Sequence, residues 1–298
     1  DQPRSRGLGD VYKRQQKKGT LKNIVCDHER NCGYFSVIPF FFPHESQSYL
    51  LLLRQIYETI ILYSMANVIK LRKGLDINLK GKAAETYATV KEPGFYALVP
   101  DDFPGVTPKV VVKEQEYVMA GGPLFIDKYH PEVKFVSPVS GVVTSVERGA
   151  RRKVLNIVVE AAAEQDYEDF GKKNVASMDA EAVKSALLEA GLFAFIKQRP
   201  YDIIADPTVT PKGIFISAFD TNPLAPDFEF ALKGEEANFQ TGLDALAKLA
   251  KTYLNISVKQ NAAALTQAKN VTITAFDGPN PAGNVGVQIN HLDPVSKG

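Results

Sequence analysis

Short apolar runs separated by polar turns fill the middle of this chain, and the spacing of these runs changes near residue 165. Between residues 95 and 159 the runs are short and the turns contain Gly and Pro, as in GGP at 121–123 and SPVSG at 137–141. Many short strands joined by such turns are typical of a β-sandwich or a small barrel. We therefore predict a small β domain over residues 65–165.

After residue 165 the apolar positions recur at steps of three and four residues, which is the period of an amphipathic helix. A polar, acidic stretch over residues 163–173 is interpreted as a linker. Strands that alternate with helices indicate a mostly parallel sheet covered by helices, so an α/β domain is predicted over residues 166–298. Its predicted elements are a helix that Asp179 caps and Gly191 ends, a buried strand at 214–219, a long helix at 235–254, a strand at 256–258, a short helix at 262–268 and a strand at 271–276.

Two polar loops directly follow predicted strands of the α/β domain. Asp220, Thr221 and Asn222 follow the strand at 214–219, and a Gly- and Pro-rich loop follows the last strand. Ligands of open α/β sheets bind at the carboxyl ends of strands, so both loops are candidate ligand sites. Because Asp, Asn and Pro are ordinary turn residues, a capped turn is the favoured interpretation of the first loop. The second loop has neither the Walker A nor the G-x-G-x-x-G spacing, and a ligand loop and a rigid turn against a partner protein are weighted equally.

The overall charge and the cysteines exclude several classes of function. The formal net charge is +1 over 298 residues, so no strong field attracts nucleic acid or an anionic membrane. Both cysteines, Cys26 and Cys32, precede residue 65, and the later sequence therefore has no thiolate for a zinc or iron–sulfur site. The spacing of Cys26, His28 and Cys32 matches no standard zinc pattern. We predict no metal site and no nucleic-acid partner.

Residues 1–64 do not match the pattern of the remaining sequence. Their start, GLGDVYKRQ at 7–15, resembles a translated cloning scar. The apolar stretch at 49–63 is too short and too charged for a membrane span of about 20 residues. We interpret residues 1–64 as a non-native upstream extension and Met65 as the natural start.

The turns of the β domain resemble those of the lipoyl- and biotinyl-type barrel-sandwich hybrid fold. The resemblance rests on GGPLF at 121–125 and on SPVSGVV at 137–143. Carrier domains of this type are modified on a lysine at a hairpin tip, and Lys128 occupies roughly that place. The YHPEV segment that follows does not resemble a carrier hairpin. An unmodified loop lysine is therefore the favoured interpretation, and a carrier role is the alternative.

Several motifs, in the same order, resemble the A-type subunits of the sodium-translocating NADH:quinone reductases over essentially all of residues 65–298. The motifs are IKLRKGLDI at 69–77, PVSG at 138–141, GLF at 191–193, RPYD at 199–202, IFI at 214–216, DTNPLAP at 220–226, GPNPAG at 278–283 and NHLDPV at 290–295. Members of this family continue beyond the last motif, so the resemblance implies that the α/β domain is truncated before the family's C-terminal region.

The resemblance implies a peripheral subunit on the cytoplasmic face of the inner membrane, within a six-subunit complex. That complex passes electrons from NADH to ubiquinone and exports sodium, and its A-type subunit carries no redox cofactor but is associated with quinone binding. Ubiquinone is apolar with two carbonyl acceptors, so its site needs aromatic walls and hydrogen-bond donors. The candidate quinone-binding or interface residues are Phe193, Phe195, Arg199, Tyr201, Asp220, Thr221, Asn222, Gly278, Pro279, Pro281 and Gly283. We predict no catalytic residue and no covalently bound cofactor in this subunit.

The family is also distantly similar to the flavin-binding subunit of respiratory complex I and to the C-type subunit of the Rnf complex, which implies a Rossmann-like α/β domain. In those proteins a glycine-rich loop holds flavin near the position of residues 191–200. Here Leu192, Phe193, Phe195 and Ile196 are bulky where a close approach to phosphate needs glycine. A flavin- or NADH-binding electron-input subunit is therefore kept as the alternative function, beside a pure assembly scaffold.

Overall fold

The computed structural model describes residues 67–77, 79–81 and 83–296, so the interpretations of residues 1–64 lie outside the described residues. The strands are β1 (Asn67–Lys70), β2 (Phe95–Leu98), β3 (Pro108–Val110), β4 (Tyr117–Val118), β5 (Pro123–Asp127), β6 (Lys134–Val136), β7 (Gly141–Arg148), β8 (Val154–Ala161), β9 (Lys197–Gln198), β10 (Ile203–Ile204), β11 (Ile214–Ser217), β12 (Thr252–Ser257) and β13 (Thr272–Asp277). The α-helices are α1 (Ala180–Glu189), α2 (Phe228–Ala231), α3 (Glu236–Leu249), α4 (Ala263–Thr266) and α5 (Val285–Leu292).

The predicted β domain is confirmed as two small antiparallel sheets that enclose one apolar core. One sheet has the strand order β2-β8-β7-β4 and the other has the order β3-β5-β6. Side chains alternate across each strand, so Ile157 and Val159 of β8 point into the core. At its centre the rings of Phe125 and Phe135 stack at 4.4 Å between centroids, and both are essentially buried.

The core of the β domain is completed by residues that follow α1. A single 3₁₀ turn, Leu192–Phe195, buries Phe193 and Ala194 against this core. Gly191 makes the turn possible because its φ of +71° suits glycine, and because a Cβ there would lie 2.6 Å from Val136 Cγ1. The first elements after residue 178 therefore pack with the β domain and not only with the sheet that follows.

The acidic stretch interpreted as a linker is instead attached to the β domain, and we call residues 165–168 the strap. Its backbone pairs with Ala120 on both sides, through Ala120 N to Asp166 O and Glu168 N to Ala120 O, both 2.9 Å. Buried Ser140 fixes its start, since Ser140 N donates to Gln165 Oε1 at 2.8 Å and Asp166 N donates to Ser140 Oγ at 2.9 Å. The linker interpretation is wrong for these residues, because composition does not reveal backbone pairing.

The predicted α/β domain is confirmed and is built on a four-stranded parallel sheet in the order β1-β13-β12-β11. The sequence pattern groups β1 with the β domain, whereas in the structure β1 pairs with β13, in register from Asn67 with Thr274. The β domain is thus inserted between the first strand of this sheet and the other three. The central strands β12 and β13 supply its core, with Leu254, Ile256 and Ala275 fully buried.

Two predicted elements of the α/β domain differ in detail from the structure, and one helix was missed. Strand β11 is at an edge, so its four side chains are half-buried and the prediction of a buried strand is wrong for them. The long helix α3 ends at Leu249, and Tyr253 lies in β12 rather than on the inward face of the helix. Helix α5 was not predicted, although Asn284 caps it by accepting from Gly286 N at 2.9 Å.

Candidate functional site

The two predicted polar loops meet at the carboxyl edge of the parallel sheet. Thr221 Oγ1 donates to Asn280 Oδ1 at 2.9 Å and accepts from Gly283 N at 3.1 Å. Gly283 is pressed against the other loop, since a Cβ there would lie 2.5 Å from Thr221 N and 2.7 Å from Asp220 Cα. We call residues 220–222 and 278–283 the loop cluster. These contacts join the two loops directly to each other.

The glycine and proline residues of the loop cluster also pack against the chain segment after β1. Gly278 has a φ of +147°, and a Cβ there would lie 2.5 Å from Leu71 O. Asn280 N donates to Asp76 Oδ1 at 2.8 Å, and Leu75 N donates to Asn280 O at 3.0 Å. Pro279 lies against Gly74, where its Cγ would be 2.8 Å from an added Cβ. These close contacts explain why the loop cluster contains small and rigid residues. The explanation does not depend on a bound ligand.

A buried polar network lies directly beneath the loop cluster. Gln288 of α5 is fully buried, and its Nε2 donates to Ser217 Oγ at 2.9 Å and to Ala282 O at 3.1 Å. Its Oε1 accepts from Asn255 Nδ2 at 3.0 Å. Buried hydrogen bonds of this kind are costly to break, so they fix α5 against the ends of the strands.

A small cleft beside α5 contains one of the predicted site residues, Arg199. The cleft has a volume of about 180 Å³, and we call it the Arg199 cleft. Arg199 Nε is held 3.3 Å from Asp202 Oδ1 and its Nη1 would lie 3.0 Å from a Cβ on Gly286, so the guanidinium packs on the first turn of α5. The lining residues are Arg199, Pro200, Gly286, Ile289, Asn290 and Val295.

The chemistry of the Arg199 cleft combines hydrogen-bond donors with apolar walls. The Arg199 guanidinium and the Asn290 side-chain amide, both from residues that line the cleft, carry hydrogen-bond donors. Pro200, Ile289 and Val295 are apolar. Such a cleft can bind the carbonyl oxygen of a flat, largely apolar ligand.

The predicted aromatic residues do not join this cleft. Phe193 is 6% exposed and belongs to the core of the β domain. Phe195 and Tyr201 are 73% and 55% exposed and do not line the cleft. The structure therefore brings together the loop cluster and places Arg199 nearby, but it separates Phe193 from both.

The hairpin that contains Lys128 lies in the β domain, outside the loop cluster and the Arg199 cleft. Lys128 Nζ lies 5.8 Å from the ring centroid of Tyr129, and His130 Nδ1 lies 3.9 Å from Asp206 Oδ1. Hydrogen bonds from Thr208 lower the pKa of Asp206, and the nearby His130 adds a smaller effect in the same direction. Across the described residues, no three His, Cys, Asp or Glu side chains are grouped to hold a metal ion.

Asn290 and Gln288 were not predicted as site residues. A helix prediction for residues 285–292 would have revealed them, since Asn284 is a capping residue and apolar Val285, Ile289 and Leu292 follow at helical spacing. The polar loop was assigned to residues 277–286, which include the cap and the first two residues of this helix.

These features define a class of protein in which a barrel-sandwich hybrid domain is joined to a parallel α/β domain. Two family models describe that combination: the NqrA N-terminal barrel-sandwich hybrid domain matches residues 69–162, and the NqrA second alpha/beta domain matches residues 178–298. The chain belongs to the NqrA family, which comprises the A subunits of the Na(+)-translocating NADH-quinone reductases.

Curated relatives that bear the name of this reductase's A subunit are identical to the chain at about a third of their aligned residues. The protein from Pseudomonas aeruginosa PAO1 is 32% identical over 237 residues, which covers 78% of this chain and 52% of the relative. The proteins from Vibrio vulnificus YJ016 and Saccharophagus degradans are 33% and 34% identical, each covering 77% of this chain and 52% of the relative. The chain thus spans about half the length of these relatives. Within its described part, no helix is long and apolar enough to cross a bilayer.

Proposed function

We propose that this chain acts as a non-redox subunit of a sodium-translocating NADH–quinone reductase and contributes to its quinone site. In this proposal the chain is peripheral on the cytoplasmic face of the inner membrane and assembles with the other subunits of a six-subunit complex. NADH oxidation and sodium export belong to the whole complex. The names of the relatives support the role in a quinone reductase, and the Arg199 cleft is the observation that supports quinone contact.

The Arg199 cleft suits one end of a quinone ring. A quinone carbonyl accepts hydrogen bonds, which Arg199 and Asn290 donate, while Pro200 and Ile289 contact the ring faces. Its volume of about 180 Å³ is below the 300–1,000 Å³ typical of sites that enclose a whole ligand. The cleft therefore takes the ring, and the isoprenoid tail leaves it towards solvent or a partner protein.

The packing of residues 191–200 supports the absence of a flavin site. The alternative of an electron-input subunit needs a backbone that approaches a phosphate closely. Here Phe193 and Ala194 are buried in the core of the β domain, and Gly191 faces Val136. The distant relation of the α/β domain to the flavin subunit of complex I remains part of the proposal. A purified chain with tightly bound flavin, or one whose fluorescence changes with NADH, would refute the proposed non-redox role.

Titration with a short-chain ubiquinone tests the quinone role. We expect saturable binding to the full chain and a loss of roughly 10- to 150-fold in affinity for Arg199→Ala, the range expected when a charged hydrogen bond is removed. The matched control is Arg72→Ala, because Arg72 is exposed and lies outside the cleft. Equal binding by both variants, or no saturable binding alone or in the assembled complex, would reject a quinone site at Arg199.

A further inference from the structure

A second concave surface lies on the β domain, between the edges of its two sheets. We call it the strap groove, because residues 166 and 168 of the strap form one of its walls. Its volume is about 420 Å³. This volume is large enough to receive several side chains, and it falls within the range of sites that bind ligands.

The floor of the strap groove is apolar and incompletely covered. Val111 and Met119 are 42% and 39% exposed, and Val112 and Val118 continue the same surface. Apolar side chains grouped in a concavity differ from the scattered exposed ones found on every protein, and they are typical of interaction sites.

The rim of the strap groove is acidic. Its lining includes Glu116, Asp166 and Glu168 and contains no Lys or Arg. Tyr117 donates a hydrogen bond to Asp166 Oδ2 at 2.5 Å and so holds one of these carboxylates in place. The net charge of the whole chain is only +1, so this local excess of negative charge does not reflect the charge of the chain as a whole.

Hydrogen bonds hold the backbone of the acidic wall in place, although the Asp166 side chain itself is exposed. The strap carries Asp166 and Glu168, and its backbone is paired with Ala120 while Ser140 anchors its start. Gly121 lets it lie close, since a Cβ at this φ of +94° would be 3.3 Å from Glu168 Cβ. A preorganised wall loses little conformational entropy when a partner binds.

The strand beside the groove has a free edge that fits an extended polypeptide. Among the described strands β4 is at the edge of its sheet, and the strap pairs with Ala120, which follows β4, rather than with β4 itself. Successive residues of a strand direct their backbone N–H and C=O to opposite sides, so an incoming strand can pair with the outward-facing residue of β4 and place alternate side chains into the groove. Alternate apolar side chains would contact Val111 and Met119, and basic ones would face the rim.

From the apolar floor, the acidic rim and the free strand edge together, we propose that the strap groove binds an extended segment of a partner protein in which Lys or Arg alternates with apolar residues. This surface shares no lining residue with the Arg199 cleft, so its binding of a partner can be tested independently of quinone binding. A lipid surface is the competing occupant, and crosslinking separates the two.

Photo-crosslinking in intact cells of the natural host tests the proposal. A benzoylphenylalanine replaces Met119 in the full chain, and the control carries it at Leu155, which is 42% exposed and does not line the groove. We expect an adduct from position 119 alone, and mass spectrometry should place it in a protein segment that alternates basic and apolar residues. A segment without Lys or Arg, a lipid adduct, an adduct within the same chain or no adduct at all would overturn the proposal.

Two further measurements test the role of charge. The pair Glu116→Gln and Glu168→Gln keeps acceptor oxygens, including the one that accepts from Lys113 N at 2.7 Å. It should lower the adduct yield roughly fivefold to tenfold, the size expected for two partly exposed ion pairs. When the crosslinking is repeated on membranes isolated from these cells, the adduct yield with the unmutated rim should fall as salt rises from about 0.1 M to about 1 M. A yield that is independent of both the Gln pair and salt contradicts recognition by charge.

Discussion

Replacement of Phe193 by Ala distinguishes a core residue from the wall of a ligand site. Phe193 is 6% exposed and packs in the core of the β domain, although it follows α1 in sequence. Truncating a buried Phe to Ala costs about 3–5 kcal/mol because apolar burial is lost and a cavity remains. Phe195, two residues away, is 73% exposed, so Phe195→Ala should change the free energy of unfolding by less than about 0.5 kcal/mol.

The assay is thermal unfolding of the full chain followed by circular dichroism. Each kcal/mol lowers the midpoint by about 2–4 °C in a unit of this size, so Phe193→Ala should lower it by about 6–20 °C. Phe193→Leu keeps much of the apolar volume and should fall between Phe193→Ala and the unmutated chain. The packing argument is wrong if Phe193→Ala and Phe195→Ala have the same unfolding midpoint while only Phe193→Ala weakens quinone binding. Phe193 would then be a ligand-contacting residue.

Three more predictions follow from contacts described above. Gly283→Ala should lower the free energy of unfolding by about 1–3 kcal/mol because its Cβ would meet the backbone of residues 220–221. Gly242→Ala, where a Cβ in α3 meets nothing within 4 Å, should raise it by about 0.5–1 kcal/mol; urea unfolding measures both. The hydrogen bond to Asp166 raises the pKa of Tyr117 above its ordinary 10.0, so it stabilises the fold below pH 10 and is lost as pH rises through the folded pKa. Asp166→Asn should therefore lower the pKa of Tyr117 in an ultraviolet absorbance titration, and an unchanged titration would contradict the contact.

Local patterns predicted the β domain well because every strand there has one face in the core. Buried Phe135 and Ile157 alternate with half-buried neighbours along their strands, and Gly and Pro turns separate the apolar runs. The end of α3 was misplaced for the opposite reason. Ala250 and Tyr253 continue its apolar spacing with no Gly or Pro between them, and pairing of β12 with both neighbours overrides that local signal.

The sequence pattern did not predict contacts between residues that are far apart in the chain. The strap depends on Ser140 meeting Gln165, and nothing in the polar composition of residues 163–173 indicates that contact. At the carboxyl edge of the sheet, the pattern correctly placed both polar loops directly after their strands. It did not show that the two loops fill each other's space through Gly283, or that Phe193 belongs to another core.

The position of β1 determines the order in which the parts of the chain are completed on the ribosome. Its four residues emerge early, yet their partner β13 lies about 200 residues later. The β domain between them has mostly local pairings and is ready to fold once its own strands are made. Strand β1 must therefore wait, unpaired, until nearly all of residues 67–277 have been synthesised. A chain that ends before residue 272 would hold a complete β domain beside a sheet that lacks β13, the strand that joins β1 to β12.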